Sequence, residues 1–123
     1  MSKRQIGQQG EAIAAEALVN AGYELLTRNW RCSTGELDLV ARHRDDIVFV
    51  EVRTRSGSEG IDAAIESITP RKITRLINLA GLYLQSHALE NSPFRIDIVA
   101  VELPSIGSSG EPSVEIFEDA IGW

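Results

Sequence analysis

Asp38 and Glu51 stand thirteen positions apart in a stretch that alternates apolar and polar residues on both sides of His43-Arg44-Asp45-Asp46. Period-two alternation around a short polar break predicts two antiparallel strands joined by a tight turn. With the turn centred between Arg44 and Asp45, opposed residues have numbers summing to 89, and Asp38 falls directly across from Glu51. Directly opposed Cβ atoms lie roughly 4.5–5.5 Å apart. Two carboxylates held that close require a proton, a cationic side chain or a metal between them. Hard divalent ions such as magnesium use oxygen sites of this kind. The same face places Glu36 opposite Arg53. A second reading is therefore an ordinary solvated face on which Arg53 and Arg55 neutralise the acids.

The hairpin that must position these acids has a second face. Leu37, Leu39 and Ala41 meet Val52, Val50 and Val48 there, so that face is wholly apolar. A one-residue slip would turn one strand's side chains the wrong way, and the pattern discriminates against it.

Around the hairpin, residues 6–21 read as a helix, with Ile6, Gly10, Ile13, Ala14, Ala17, Leu18 and Ala21 on one face and Gly22 as its C-terminal cap. Glu11 sits at the edge of that face, either leaning toward a sheet or solvated near the helix start. Gly7 and Gly10 lack the spacing of a dinucleotide loop and instead permit close approach to a sheet or ligand. Tyr23 to Trp30 reads as a strand, in which Trp30 either anchors a core edge or joins Arg28 and Arg31 in a base-stacking patch. Ser56 to Gly60 and Pro104 to Pro112 read as loops, and residues 61–67 as a short helix. Thr69-Pro70 opens a longer helix, with Thr69 as N-cap and Ile73, Leu76, Ile77, Ala80, Tyr83 and Leu84 as its buried stripe. Arg71, Lys72 and Arg75 crowd its first turns, where positive charge opposes the helix dipole. A polyanion or an acidic site nearby would relieve that, and a solvated basic face is the plainer reading. Phe94 to Leu103 reads as a buried strand in which Arg95 and Asp97 share a face, and Val114 to Phe117 as an edge strand.

Composition sets bounds. The 123 residues suffice for one domain spanning 1–123 with its own core. The single cysteine, Cys32, cannot form an internal disulfide, which fits a reducing cytoplasm. No apolar run is long enough to span a membrane, and Lys3-Arg4 is not followed by a signal-like core. His43 and His87 read as surface residues. The net charge of −6 is uneven: all twelve bases lie within positions 1–95 beside twelve acids, and six acids fill the last 28 residues without a base. A basic surface is thus compatible with the overall charge. Ten of the twelve bases are Arg, the side chain suited to bidentate phosphate contacts.

The pieces Gly7-x-x-Gly10-Glu11, Arg28-Asn29-Trp30-Arg31, Gly35-Glu36-Leu37-Asp38-Leu39-Val40-Ala41, Phe49-Val50-Glu51-Val52-Arg53-Thr54-Arg55, Ile68-Thr69-x-x-Lys72 and Arg95-x-Asp97-x-Val99-Ala100 cover nearly the whole chain. In this order and spacing they resemble the YraN-like family of small bacterial proteins, predicted endonucleases of the PD-(D/E)xK restriction-endonuclease-like superfamily. The resemblance implies an α/β fold with a restriction-endonuclease-like core (αβββαβ), a mixed central sheet flanked by helices. It implies Mg2+- or Mn2+-dependent hydrolysis of phosphodiester bonds in DNA, with Holliday-junction-resolvase-like selectivity among the implied forms. By the same resemblance Asp38 and Glu51 hold metal with help from Glu11, and Arg53 takes the place of the motif lysine as the third catalytic residue. The implied mechanism has Arg55, Arg71, Lys72 and Arg75 hold flanking phosphates, and Arg31 is a further candidate nucleic-acid contact from its patch with Arg28 and Trp30. Arginine stays protonated and cannot act as a base, so Lys72 is the candidate for a missing amine. The sequence leaves the oligomeric state open; a homodimer is one candidate assembly, by analogy with junction-cleaving relatives. A non-catalytic nucleic-acid-binding module and a protein-interaction domain docking through the acidic C-terminal segment are the competing functions.

Overall fold

The computed structural model describes residues 2–57, 60–105 and 109–121. Its elements run α1 (Lys3–Asn20), β1 (Glu24–Cys32), β2 (Gly35–His43), β3 (Asp46–Ser56), α2 (Gly60–Glu66), α3 (Pro70–Ser86), β4 (Phe94–Leu103) and β5 (Ser113–Phe117). This is a mixed α/β fold of three helices and one five-stranded sheet in the order β1-β2-β3-β4-β5. β3 and β4 are parallel and the other neighbours antiparallel. A parallel pair needs a crossover, and α2 with α3 supplies it. Parts of both expected loops, residues 58–59 and 106–108, lie outside the described residues.

Local chemistry explains the boundaries. Ser2 caps α1 in a reciprocal capping box with Gln5. Gly22, at φ 96°, turns the chain out of the helix, a conformation that costs glycine little. Thr69 caps α3 by accepting the Lys72 backbone N–H, with Pro70 in the first turn. The β2–β3 hairpin turns on Arg44 and Asp45, with His43 paired to Asp46 and the sum of 89 holding through Leu39 and Val50.

The sheet is covered on both faces. One face packs Leu39, Ala41, Val48, Val50, Val52, Val99 and Val101 against Ala14, Ala15 and Leu18 of α1. The other packs Leu37, Val40, Ile47, Phe49 and Ile96 against Leu76, Leu79, Ala80 and Tyr83 of α3. Two sequence expectations change here. Leu37 does not share a face with Leu39, because alternation breaks at Asp38. The face opposite Leu39, an ordinary solvated face in the second reading, is filled for most of its length by Val40, Ile47 and Phe49. Alternation of charge near the strand ends hid this, since the centre of a doubly covered strand is apolar on both sides.

At the start of β4, Arg95 and Asp97 do pair, inside a buried polar cluster. Asp97 has no exposed surface and accepts from Arg95 Nε at 3.0 Å, Tyr23 Oη at 2.6 Å and the Asp119 backbone N–H at 2.9 Å. Arg95 also donates to Asp46 at 2.9 Å and to His43 Nδ1 at 2.6 Å. His43 is therefore buried, stacked on Tyr23 with ring centroids 3.9 Å apart, rather than on the surface as its isolation in sequence suggested. His87 is exposed, as expected. Trp30 packs edge-on to Tyr83 at 5.4 Å, half-buried at the edge of the α3-side core.

Candidate active site

The β2–β3 ladder ends at Leu39–Val50, although both strands continue. Beyond that pair Leu37 has turned to the α3 side, so Val52 lacks the partner across the ladder that the sum of 89 assigns it. The Asp38 carboxylate takes the vacant place, accepting the Val52 N–H at 3.1 Å. Asp38 and Glu51 are thus not a directly opposed ladder pair. They meet in the gap where the two strands part, and both line one open cleft of about 770 Å³.

The cleft is walled by Lys3, Ile6, Gly7 and Glu11 of α1, Glu36 and Asp38 of β2, residues 51–56 of β3, and Arg75 of α3. α1 lies this close because residue 10 is glycine: a Cβ there would sit 2.8 Å from Thr54 Cβ and closer still to its Oγ1. Gly7 lines the cleft with no such crowding.

The acids at its floor are electrostatically uncomfortable. Glu51 backs onto Ile68, Ile73, Leu76, Ile98 and Ile121. Burial, and then the charge of Asp38, push its carboxyl up to about 7 against the pull of Arg53, Arg75 and Lys72. Burial also raises Asp38, although the Val52 N–H and Arg53 favour its charged form. Glu11 leans toward the sheet, the less plain of its two sequence readings. Its carboxyl is pushed up to about 7 by burial, then by Asp38 and Glu36. A proton on Glu11 relieves its repulsion with Asp38 and Glu36.

The cations divide into those that reach the floor and those that do not. Arg53 Nη1 lies 3.8 Å from Glu51 Oε1, and its Nε donates to Ser67 Oγ at 2.8 Å. Glu36 does not face Arg53; it pairs across β1 with Arg31 at 3.2 Å, leaving Arg31 exposed beside the cleft and not in it. Lys72 donates to the Ser67 carbonyl at 3.0 Å, and desolvation, then Arg53, hold its amine below the ordinary value. Arg55 and Arg75 line the cleft. Arg71 is exposed and does not line it.

Three contributors were not singled out from the sequence. Lys3 brings a further cation to the mouth. Ser67 ties Arg53 to the crossover. Asn29 adopts φ 52° in the middle of β1; with its amide nitrogen assigned toward the acids, it donates to Glu36 at 2.9 Å and to Glu11 at 3.3 Å. Asparagine is disfavoured inside strands but tolerates the left-handed region, which was the available signal.

These residues fit a hard cation. Asp38 and Glu51 offer anionic oxygens whose burial disfavours bare charge, and magnesium is usually held by one or two carboxylates with water completing the shell. Among the described residues no group of three His, Cys, Asp or Glu side chains is arranged to hold a metal ion. The fit is to the Asp38–Glu51 pair, with Glu11 behind Asp38.

Comparison with known sequences places the chain. The family described as Uncharacterised protein family UPF0102 matches residues 10–101. The chain belongs to the UPF0102 family. That match includes every acid of the cleft. A UPF0102 protein of Clavibacter michiganensis subsp. michiganensis is 45% identical over 118 residues, covering 96% of this chain and 97% of that protein. One from Roseiflexus castenholzii is 51% identical over 102 residues, covering 82% of each. One from Moorella thermoacetica is 48% identical over 103 residues, covering 84% of this chain and 85% of that protein. Among the described residues of this UPF0102 chain, no helix is long and apolar enough to cross a membrane.

Proposed function

We propose that this UPF0102 chain is a metal-dependent nuclease acting on DNA, a single domain with a restriction-endonuclease-like core. The observation that carries the reading is the pair Asp38 and Glu51, two half-buried carboxyls of raised pKa at the floor of an open cleft rimmed by Lys3, Arg53, Arg55 and Arg75. Acids below and cations around suit a phosphodiester: the cations hold the phosphate anion, and the acids hold the ion that activates it. The likeness to YraN-like proteins and the element order α, three strands, α, β support the same reading.

When bound at Asp38 and Glu51, Mg2+ or Mn2+ would supply a bound water of lowered pKa and charge stabilisation of the in-line transition state. The chain's own residues do the rest. Asp38 is oriented by the Val52 N–H. Glu11, its carboxyl raised by burial and by the neighbouring acids, provides a place to park a proton. Arg53 presents its guanidinium beside Glu51, where it contacts the scissile phosphate and stabilises developing charge. Lys72 is the nearby amine, and its depressed pKa brings it closer to proton-transfer range than a free lysine. Arg55, Arg75 and the exposed Arg71 and Arg31 hold flanking phosphates with little sequence readout.

A second reading, a nucleic-acid-binding module without robust chemistry, is favoured by one observation: residue 53 is Arg, which cannot serve as a base. The test separates the two. Linear and branched DNA are incubated with the protein with and without Mg2+ or Mn2+. Metal-dependent cleavage that disappears in Asp38→Ala and Glu51→Ala is expected. Salt-sensitive binding without cleavage would leave the binding module instead.

A further inference from the structure

Ser67 lies between α2 and α3 and makes three contacts that have one geometric consequence. Its Oγ donates to the Ala64 carbonyl at 2.6 Å. A hydroxyl has one proton, so the oxygen is left as an acceptor, and Arg53 Nε donates to it at 2.8 Å. The Ser67 carbonyl accepts the Lys72 amine at 3.0 Å. Arginine loses much rotamer freedom when its head group is fixed, and fixing Nε orients the whole planar guanidinium. With Nε tied back to the crossover, Nη1 is left beside Glu51 at 3.8 Å.

We propose that Ser67 is a positioning residue that aims Arg53 at the cleft floor through its hydroxyl and tethers Lys72 beside it through its carbonyl. The crossover connection is thereby part of the site. The catalytic consequence rests on the nuclease reading; the geometric one does not. Because the hydroxyl makes the contacts to Arg53 and the Ala64 carbonyl and the backbone carbonyl makes the contact to Lys72, Ser67→Ala removes the first two and keeps the third. Arg53 is released and Lys72 is not. Ser67→Thr keeps the hydroxyl and restores the wild-type state.

The test uses the full chain, isotope-labelled, and follows solvent exchange of the Arg53 Nε–H and the Lys72 ammonium signal by NMR. Ser67→Ala is expected to speed Arg53 exchange about tenfold, the consequence of losing one hydrogen bond to a charged group. Lys72 stays as in the wild type, and Ser67→Thr reverts the change. On a cleavable DNA oligonucleotide with Mg2+, Ser67→Ala lowers kcat about tenfold with KM changed less than about twofold. Ser67→Thr restores kcat, and Ser67→Ala has no added effect on Arg53→Ala. Arg53 exchange unchanged in Ser67→Ala overturns the assignment, and so does faster exchange with unchanged kcat. If the wild type does not cleave DNA, the nuclease reading fails and the exchange measurement alone decides whether Ser67 holds Arg53. Should Ser67→Ala not fold, Ser67→Cys, of similar size and weaker acceptor strength, takes its place in both measurements.

Discussion

Asp38 accepts the backbone N–H of Val52 at 3.1 Å, so a side chain stands in for the main-chain partner of a strand that has turned away. This bond fixes one acid of the cleft and ends the hairpin ladder at the same point. Removing it orphans a buried donor as well as an acid. Asp38→Ala is expected to destabilise the fold by about 1–3 kcal/mol, the desolvation cost of an unpaired N–H, partly offset by relief of carboxylate repulsion. Asp38→Asn, whose amide oxygen can still accept, costs less. Urea denaturation of both variants checks the order.

Glu51 gives a pH dependence of definite sign. Its folded pKa is about 7 against an ordinary 4.5, so the contribution it makes to stability is full below about 4.5 and lost as pH rises through 7. Glu51→Gln is therefore expected to leave stability near wild type at pH 4 and to raise it by roughly 1–3 kcal/mol at pH 8. Denaturation midpoints at both pH values measure it. A gain at pH 4 equal to that at pH 8 would contradict the burial of a charged carboxyl.

Metal should reverse that penalty. Mg2+ or Mn2+ at about one hundred times its Kd is expected to stabilise the protein by about 2.7 kcal/mol. The effect is largest at pH 8 and fades below pH 6, because protons compete for the same carboxylates. Chelation removes it, and Asp38→Asn with Glu51→Gln abolishes it. Thermal melts with and without metal at the two pH values provide the measurement.

Gly10 sets the depth of the cleft. Gly10→Ala places a Cβ 2.8 Å from Thr54 Cβ, and overpacking of this kind costs about 1–3 kcal/mol. The better helix propensity of alanine returns roughly 1 kcal/mol of it. Thr54→Ala in the same chain removes Oγ1 and Cγ2 but keeps the Cβ, so the double variant is expected to recover part of the loss in a denaturation experiment.

The buried cluster at the far end of β3 and β4 is a matter of stability rather than chemistry. Asp97→Asn turns an amide N–H2 toward donors from Arg95, Tyr23 and Asp119. Breaking a buried ion pair by removing one partner costs about 3–5 kcal/mol. A drop of that size in unfolding free energy, with the proposed DNA and metal binding of the cleft left as in the wild type in the remaining folded protein, is the expected result.

The sequence by itself determined the order of elements, the hairpin register near its turn, the N-cap of α3 and the Arg95–Asp97 pair. Each is set by local patterning: period-two and helical repeats, Thr-Pro before a helix, a two-residue spacing on one strand. It also named Asp38, Glu51 and Arg53. Only the tertiary structure decided how they meet. The break in alternation at Asp38, the left-handed Asn29 in β1, the tilt of Glu11 toward Asp38 and the tie from Arg53 to Ser67 all involve partners on different elements. A strand pattern read in one dimension assumes an ideal ladder. The departure arises because Leu37 gains more by packing under α3 than by keeping its place opposite Val52, a balance of burial against backbone pairing settled once both faces of the sheet are covered.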